Sequence, residues 1–234
     1  VVAAPGDHAA VKREIGTIST CSEDREMEEK LVTPRRRDRQ VHDEEWIREM
    51  LTYSLFSTVA TVSDGQPFLR PSAFIYVEED HAIYIHGAHT GRAIDNVKEE
   101  PRVCLCVYEV GAFRMDDFAF SFYQEQAGVM VFGTTSTVLD NDKKHAVMQA
   151  LMEKHTPHLT VDVDYRPANS KEVDVTTVIR IDIERWSGKL KWTEEPGRDR
   201  FFYEDVIGDR KPRLPWTHDM SNDPLTAEWK KSVK

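Results

Sequence analysis

The chain has 234 residues and a formal net charge of -10. That length buries a core without disulfide staples, and the acidic surface repels phosphate backbones, which excludes nucleic acid as the expected partner. No apolar run approaches the roughly 20 residues that cross a bilayer, so no membrane partner is expected. The opening residues lack the basic-then-apolar order of a secretory leader. The three cysteines, Cys21, Cys104 and Cys106, make no disulfide framework, and the expected compartment is the reducing cytoplasm.

Residues 1–34 read as a charged arm, with a short exposed helix over 22–30. The basic run at 35–39 reads as a solvated lead-in to a helix. Asp43 is placed to cap that helix, which carries Trp46, Ile47, Met50 and Leu51 on one face. Alternating residues over 56–62 predict a strand, Asp64-Gly65 a hairpin turn, and 68–77 the returning strand. Pro71 lies inside the latter and lacks an amide donor, which implies an edge or a bulge. A turn at 78–80 leads to a third strand over 82–86. A glycine-containing loop then opens a helix with Ile94 and Val97 inward, ended by Pro101. Strands follow at 103–108, 129–139 and 177–185. An irregular aromatic stretch is expected at 111–124, and a helix capped by Asn141 that carries Ala146, Val147, Ala150 and Leu151. The residues from 193 onward read as an extended arm. The expected class is mainly β: a six-stranded, mostly antiparallel split barrel with a few flanking helices. The absence of βαβ alternation excludes a Rossmann domain.

The most informative stretch runs from Tyr84 to Ile94. A strand ends, Gly87 relaxes the backbone, and a helix begins, where main-chain amides favour an anion. Thr90 offers a hydroxyl and Arg92 a planar cationic fork, so the reading is a cradle for one phosphate. His81, His86 and His89 lie close in sequence, but strand alternation sends His81 and His86 to opposite faces, and no metal site is expected. Cys104 and Cys106 share a strand face, where burial accounts for both.

The order of these segments resembles the flavin-binding split barrel of the pyridoxamine 5′-phosphate oxidase-like superfamily, in its nitroimidazole-resistance-like branch. The resemblance rests on Tyr84-Ile85-His86-Gly87-Ala88, on Gly91-Arg92-Ala93, on Glu100-Pro101-Arg102-Val103 and on Arg185-Trp186-Ser187-Gly188-Lys189. It spans residues 35–192, which sets the expected domain between the two arms. It implies FMN as cofactor and a homodimer with cofactor sites at the subunit interface, the strand at 103–108 and the aromatic stretch contributing contacts. Arg70 and Ser72 would lie beneath the flavin, and His86 and Gly87 would approach its ring or ribityl chain. Thr90, Gly91 and Arg92 would hold its phosphate, and Trp186 would pack on it from the partner subunit. His86 is the implied proton donor in an oxidoreductase that takes hydride from NAD(P)H and reduces a small organic acceptor, a nitro compound being one example. Two alternatives stand beside this reading: a flavin-binding or sensing protein without turnover, and a haem-binding split barrel. The chain departs from the family pattern in three places. Ala93 stands where a lysine is usual, Gly128 where many oxidases carry glutamine, and Ser187 to Trp192 where vitamin B6 phosphate oxidases carry their basic substrate clamp. Vitamin B6 phosphate is therefore not the expected substrate.

Overall fold

The computed structural model describes residues 29–30, 32–193 and 199–207. Cys21 and most of the expected 22–30 helix lie outside them, as does most of both arms. Six long antiparallel strands form a closed ring: β2 (Phe56–Ser63), β3 (Gln66–Val77), β4 (Ala82–Ala88), β5 (Arg102–Met115), β6 (Tyr123–Val138) and β7 (Thr176–Lys191). The order around the ring is β7-β4-β3-β2-β5-β6, and β6 pairs back onto β7. A two-residue strand, β1 (Gln40–Val41), extends β7, and β8 (Asp199–Phe201) adds to β5. The ring leaves no free edge over its closed part, the usual way a small antiparallel sheet avoids edge-to-edge association.

Alternation sorts the side chains. Val59, Phe74, Ile83, Ile85, Leu105, Val107, Val129, Val131, Ile179 and Ile181 fill the barrel. The helix α1 (Glu44–Tyr53) adds Ile47 and Leu51 to that core. Its cap is Asp43, as expected: the carboxylate accepts from the amides of Glu45 (2.9 Å) and Trp46 (3.3 Å), satisfying donors that a helix start leaves unpaired. The second helix, α2 (Arg92–Glu99), lies against β2. A third, α3 (Asn141–His155), covers the outer face of β3, β4 and β7, where Val147 and Leu151 meet Ile75, Tyr84 and Val178.

Four expectations change. The cap of α3 is Asp140, whose carboxylate accepts from the Lys143 amide at 2.7 Å; Asn141 is already helical and donates to Asp174 instead. The strands β5, β6 and β7 run well past their expected ends. The stretch 111–124 is largely strand, interrupted by a one-turn helix at Ala119–Ser121. Its alternation is hidden because an ion pair takes the inward positions: Arg114 Nε donates to Glu125 at 2.6 Å, and the Glu125 side chain is 5 % exposed. The Ala112 amide and Arg200 Nη2 also donate to Glu125, each at 3.0 Å. Finally, the segment before β7, where the sequence suggested no element, contains a short helix, α4 (Ser170–Asp174), set by a reciprocal Asn169–Glu172 capping box.

Ring closure depends on one small residue. Where β6 and β7 shift register beside Phe132, a Cβ on Gly133 would run into the Asp182 carbonyl oxygen, deep inside van der Waals contact. Glycine is required there by close approach of two backbones. Gly133→Ala should lower stability by about 1–3 kcal/mol, the usual cost of overpacking. The check is the urea midpoint of the variant against the parent protein.

Candidate functional site

The two strands that carry the expected site do not stay paired. β3 follows β2 from Gln66 to Ala73, but it pairs with β4 over Phe74–Val77 alone. Beyond Phe74 and Ile85 the strands part, and the barrel wall opens. Pro71 lies in that one-sided half of β3, so the expected edge is there. The parting leaves main-chain groups of β4 without a ladder partner, which buried backbone does not tolerate. Arg70 answers this: its Nη2 donates to the His86 carbonyl at 3.0 Å. Its guanidinium lies against Gly87, where a Cβ would stand 3.4 Å from Nη2. Gly87 thus leaves room for the arginine.

Arg92, at the first position of α2, is exposed, and its guanidinium lies over the Phe68 ring at 4.6 Å. Phe68 was not foreseen; in the sequence it is one more apolar strand residue. Gly91 precedes the helix with φ 124°, a conformation that other residues rarely adopt. Main-chain bonding in α2 begins with the Ile94 and Asp95 amides, both donating to the Gly91 carbonyl. The amides of Arg92 and Ala93 therefore face outward at the positive end of the helix dipole. The loop is anchored by His89, whose Nε2 faces the Asp174 carbonyl at 2.5 Å and whose Nδ1 faces the Thr177 hydroxyl at 2.7 Å. A carbonyl only accepts, so Nε2 carries the proton. Thr90 stands exposed beside it. The axial position of α2 is fixed by a buried polar pair, Asn96 Nδ2 to Thr61 Oγ1 at 2.8 Å.

Arg70, Gly87, Thr90, Gly91 and Arg92 therefore share one side of the opening. Ser72 lies beneath it on the same face of β3 as Arg70; it is buried, with its hydroxyl donating to the Ala73 carbonyl at 3.1 Å. Two residues stand apart. Trp186 packs against its own core between Tyr76, His81 and Arg48, with the His81 ring 5.0 Å away. His81 immediately precedes β4 and Gly87 lies six residues on, so the separation is about 20 Å at about 3.3 Å per residue. The His86 ring lies on the Tyr84 face of β4, which packs on α3, whereas Gly87 and Arg70 lie on the Ile85 face.

His86 is half-buried and its Nδ1 has no hydrogen-bond partner. Burial first, then the positive fields of Arg70 and His155, push its pKa below the ordinary histidine value. The imidazole is thus neutral near pH 7, a state that accepts a proton more readily than it gives one. Cys104 and Cys106, on the outer face of β5, are held as thiols because burial raises both. Among the described residues, no three His, Cys, Asp or Glu side chains converge on a metal-sized site, and no helix is long and apolar enough to cross a membrane.

Neither Arg70 nor Arg92 has a carboxylate within ion-pair reach among the described residues. In a chain with 41 acidic against 31 basic residues, two guanidiniums unpaired among the described residues, beside outward amides, can accept an anion. The cluster suits a single phosphate: two planar forks, a hydroxyl and two free amides. The His86 pKa also has a stability consequence. Its folded value is depressed, so the folded chain binds fewer protons and stability is lost as pH falls from about 6.5 through the lowered value. His86→Gln should flatten that part of the curve, read from urea midpoints measured between pH 7 and pH 5.

The family model described as pyridoxamine 5′-phosphate oxidase matches residues 43–190. No curated protein matches the sequence significantly. Among the solved structures that share the fold are the following three. The FAD and haem binding protein from Mycobacterium smegmatis is 23% identical at a TM-score of 0.60, over 69% of this chain and 76% of that one. The flavocytochrome Anf3 from Azotobacter vinelandii is 23% identical at 0.59, over 75% and 78%. A proposed 5-nitroimidazole antibiotic resistance protein from Bacteroides thetaiotaomicron is 17% identical at 0.54, over 64% and 86%. At these identities the likeness is one of fold.

Proposed function

The chain belongs to the pyridoxamine 5′-phosphate oxidase family, and from that premise we propose that it is an FMN-binding oxidoreductase acting between a nicotinamide donor and a small organic acceptor. One observation carries the reading: among the described residues Arg70, against Gly87, and Arg92, over Phe68, stand without carboxylate partners in a chain of net charge -10. Arg92, Thr90 and the first amides of α2 would hold the phosphate, and Arg70 would face the flavin body above Ser72. A bound flavin would supply hydride and electron transfer; the protein's part is to orient it and exclude water. A nitro compound is one acceptor of the right chemistry. His86, the proton donor that the resemblance implied, has its ring on the α3 face of β4, opposite Arg70 and Gly87, so the reading assigns it no proton-transfer step.

The reading includes a homodimer. The outer face of β5 and β6 carries Cys104, Cys106, Tyr108, Met130 and Phe132, and among the described residues only part of it is covered, where 32–35 cross beside Cys106, Tyr108 and Met130. Tyr108 is 65% exposed and Met130 42%. An apolar sheet face of this kind is covered by another surface in solution, and the reading assigns that cover to a second copy. Light scattering at micromolar concentration should give the dimer mass; a monomer would remove this part of the proposal.

A second reading, haem ligation, is favoured by the half-buried His86 with its unpartnered Nδ1 and by the names of two structural relatives. The visible spectrum of the purified protein separates the readings, by flavin bands against a Soret band. The main reading is tested at Arg92. Arg92→Ala should weaken FMN by about 1.5–3 kcal/mol, the worth of a charge-assisted contact, or about tenfold to a hundredfold. Riboflavin, which has no phosphate, should be much less affected. Arg92→Lys should restore part, since an ammonium lacks the fork. FAD should bind no tighter than FMN, because the Gly87–Arg92 turn supplies one anion cradle. Flavin fluorescence quenching reads all of these, and equal loss of FMN and riboflavin would make Arg92 a structural residue.

A further inference from the structure

A second group of cations lies where residues 32–39 cross the ends of β6 and β7. Strand β1 fixes this crossing by pairing Gln40 with Lys189 and Val41 with Gly188. The Ser187 hydroxyl, donating to the Val32 carbonyl, pins the segment further back. Arg35 is thereby placed by the fold rather than trailing from it. It lines a cleft of about 300 Å³ with Lys189, Gln126, Gly128, Tyr108, Met130 and Cys106. Arg35 also borders a second cleft, with Arg37 and Glu29. Among the described residues, Arg35, Arg37, Lys189 and Lys191 have no carboxylate within 4 Å. The one acid of the crossing segment, Asp38, is taken by Arg36 at 2.8 Å, with Arg39 at 3.9 Å. Glu109 borders the cleft that adjoins at Tyr108.

Among the described residues, no carboxylate pairs with the cations at the centre of this positive field. Lys191, whose ammonium sits 4.4 Å from the Tyr123 ring centroid, has its pKa lowered by burial and then by repulsion from Arg39, Arg36 and Lys189. Like charges held together in an acidic chain cost free energy unless an anion joins them. The cleft has a mixed lining. Arg35, Lys189 and Gln126 supply donors on one side, and Tyr108 and Met130 supply an apolar floor. Its volume suits a phosphate with its sugar rather than a whole dinucleotide. Because it shares Tyr108, Met130 and Cys106 with the outer sheet face, it borders the surface assigned above to a second copy.

We propose that this cleft recognises the phosphate end of a nucleotide-class small molecule, with Arg35 and Lys189 gripping the phosphate and Tyr108 supporting the sugar or base. The proposal rests on the flavoprotein reading for its meaning, since a nicotinamide electron donor is such a molecule. It names a binding site separate from Arg70 and Arg92.

The test is calorimetric titration of the flavin-loaded protein with ADP, with adenosine as the uncharged counterpart. ADP should bind with an affinity that falls as salt is raised, and adenosine should bind far more weakly. Arg35→Gln and Lys189→Gln should each weaken ADP by about tenfold, while FMN quenching stays as in the parent. The proposal is overturned if the double variant binds ADP as tightly as the parent, or if the parent binds no ADP. It is also overturned if a short single-stranded oligonucleotide binds tighter than ADP, which would make the patch a surface for a macromolecular anion. Should the chain take up no flavin, the flavoprotein reading fails by itself, and the same ADP titration on the flavin-free chain still decides this site.

Discussion

The parting of β3 from β4 is the constraint on which the candidate site depends. A six-stranded sheet that closes on itself must tilt and stagger its strands, and here the stagger ends one ladder at Phe74 and Ile85. What remains is a short length of β4 with one bonded side. A guanidinium across the gap gives the His86 carbonyl a partner, and Gly87 is small enough to let it lie flat against the strand. The same opening gives α2 its place against β2, held by Asn96 and Thr61. The helix start, with its outward amides, then lies beside Arg70. The cradle follows from how the barrel closes.

Charge is distributed with the same economy. Most basic side chains with a resolved contact are tied to carboxylates: Arg114 and Arg200 to Glu125, Lys143 to Asp80, Arg180 to Asp182, and Arg166 to Glu172. The exposed pairs contribute little to stability. The buried one is different, because Glu125 without its arginines would be a stranded charge. That ion pair also docks the 199–201 strand on β5, beside the stacked rings of Phe113 and Phe201. Against this background two groups of cations without a carboxylate partner among the described residues stand out: Arg70 and Arg92 at the parted strands, and Arg35, Arg37, Lys189 and Lys191 at the crossing of 32–39 over β6 and β7.

The two groups lie on different parts of the barrel. Arg70 and Arg92 lie on the side that opens. Arg35 and Lys189 lie where 32–39 cross the ends of β6 and β7, at the rim of the outer face of β5 and β6. A site proposed at one can therefore be altered without touching the other.

The sequence by itself determined the succession of six strands along the chain and where their turns lie, because alternation and glycine-bearing hairpins are local signals; their order around the ring came from the structure. It also located the Gly87–Arg92 turn, since a strand end, a glycine and a helix start with arginine are adjacent in the chain. Ends of strands were misjudged where Arg114 and Glu125 take inward positions, because a pattern of apolar alternation does not register a buried ion pair. Only the tertiary structure decided that Phe68 backs Arg92, that Arg70 caps a carbonyl sixteen residues away, and that the rings of His86 and Trp186 point away from the cluster. It alone brought Arg35 beside Lys189. Each of these depends on where two distant strands stop pairing or cross, and that is set by closure of the whole ring, a property no short window of sequence contains.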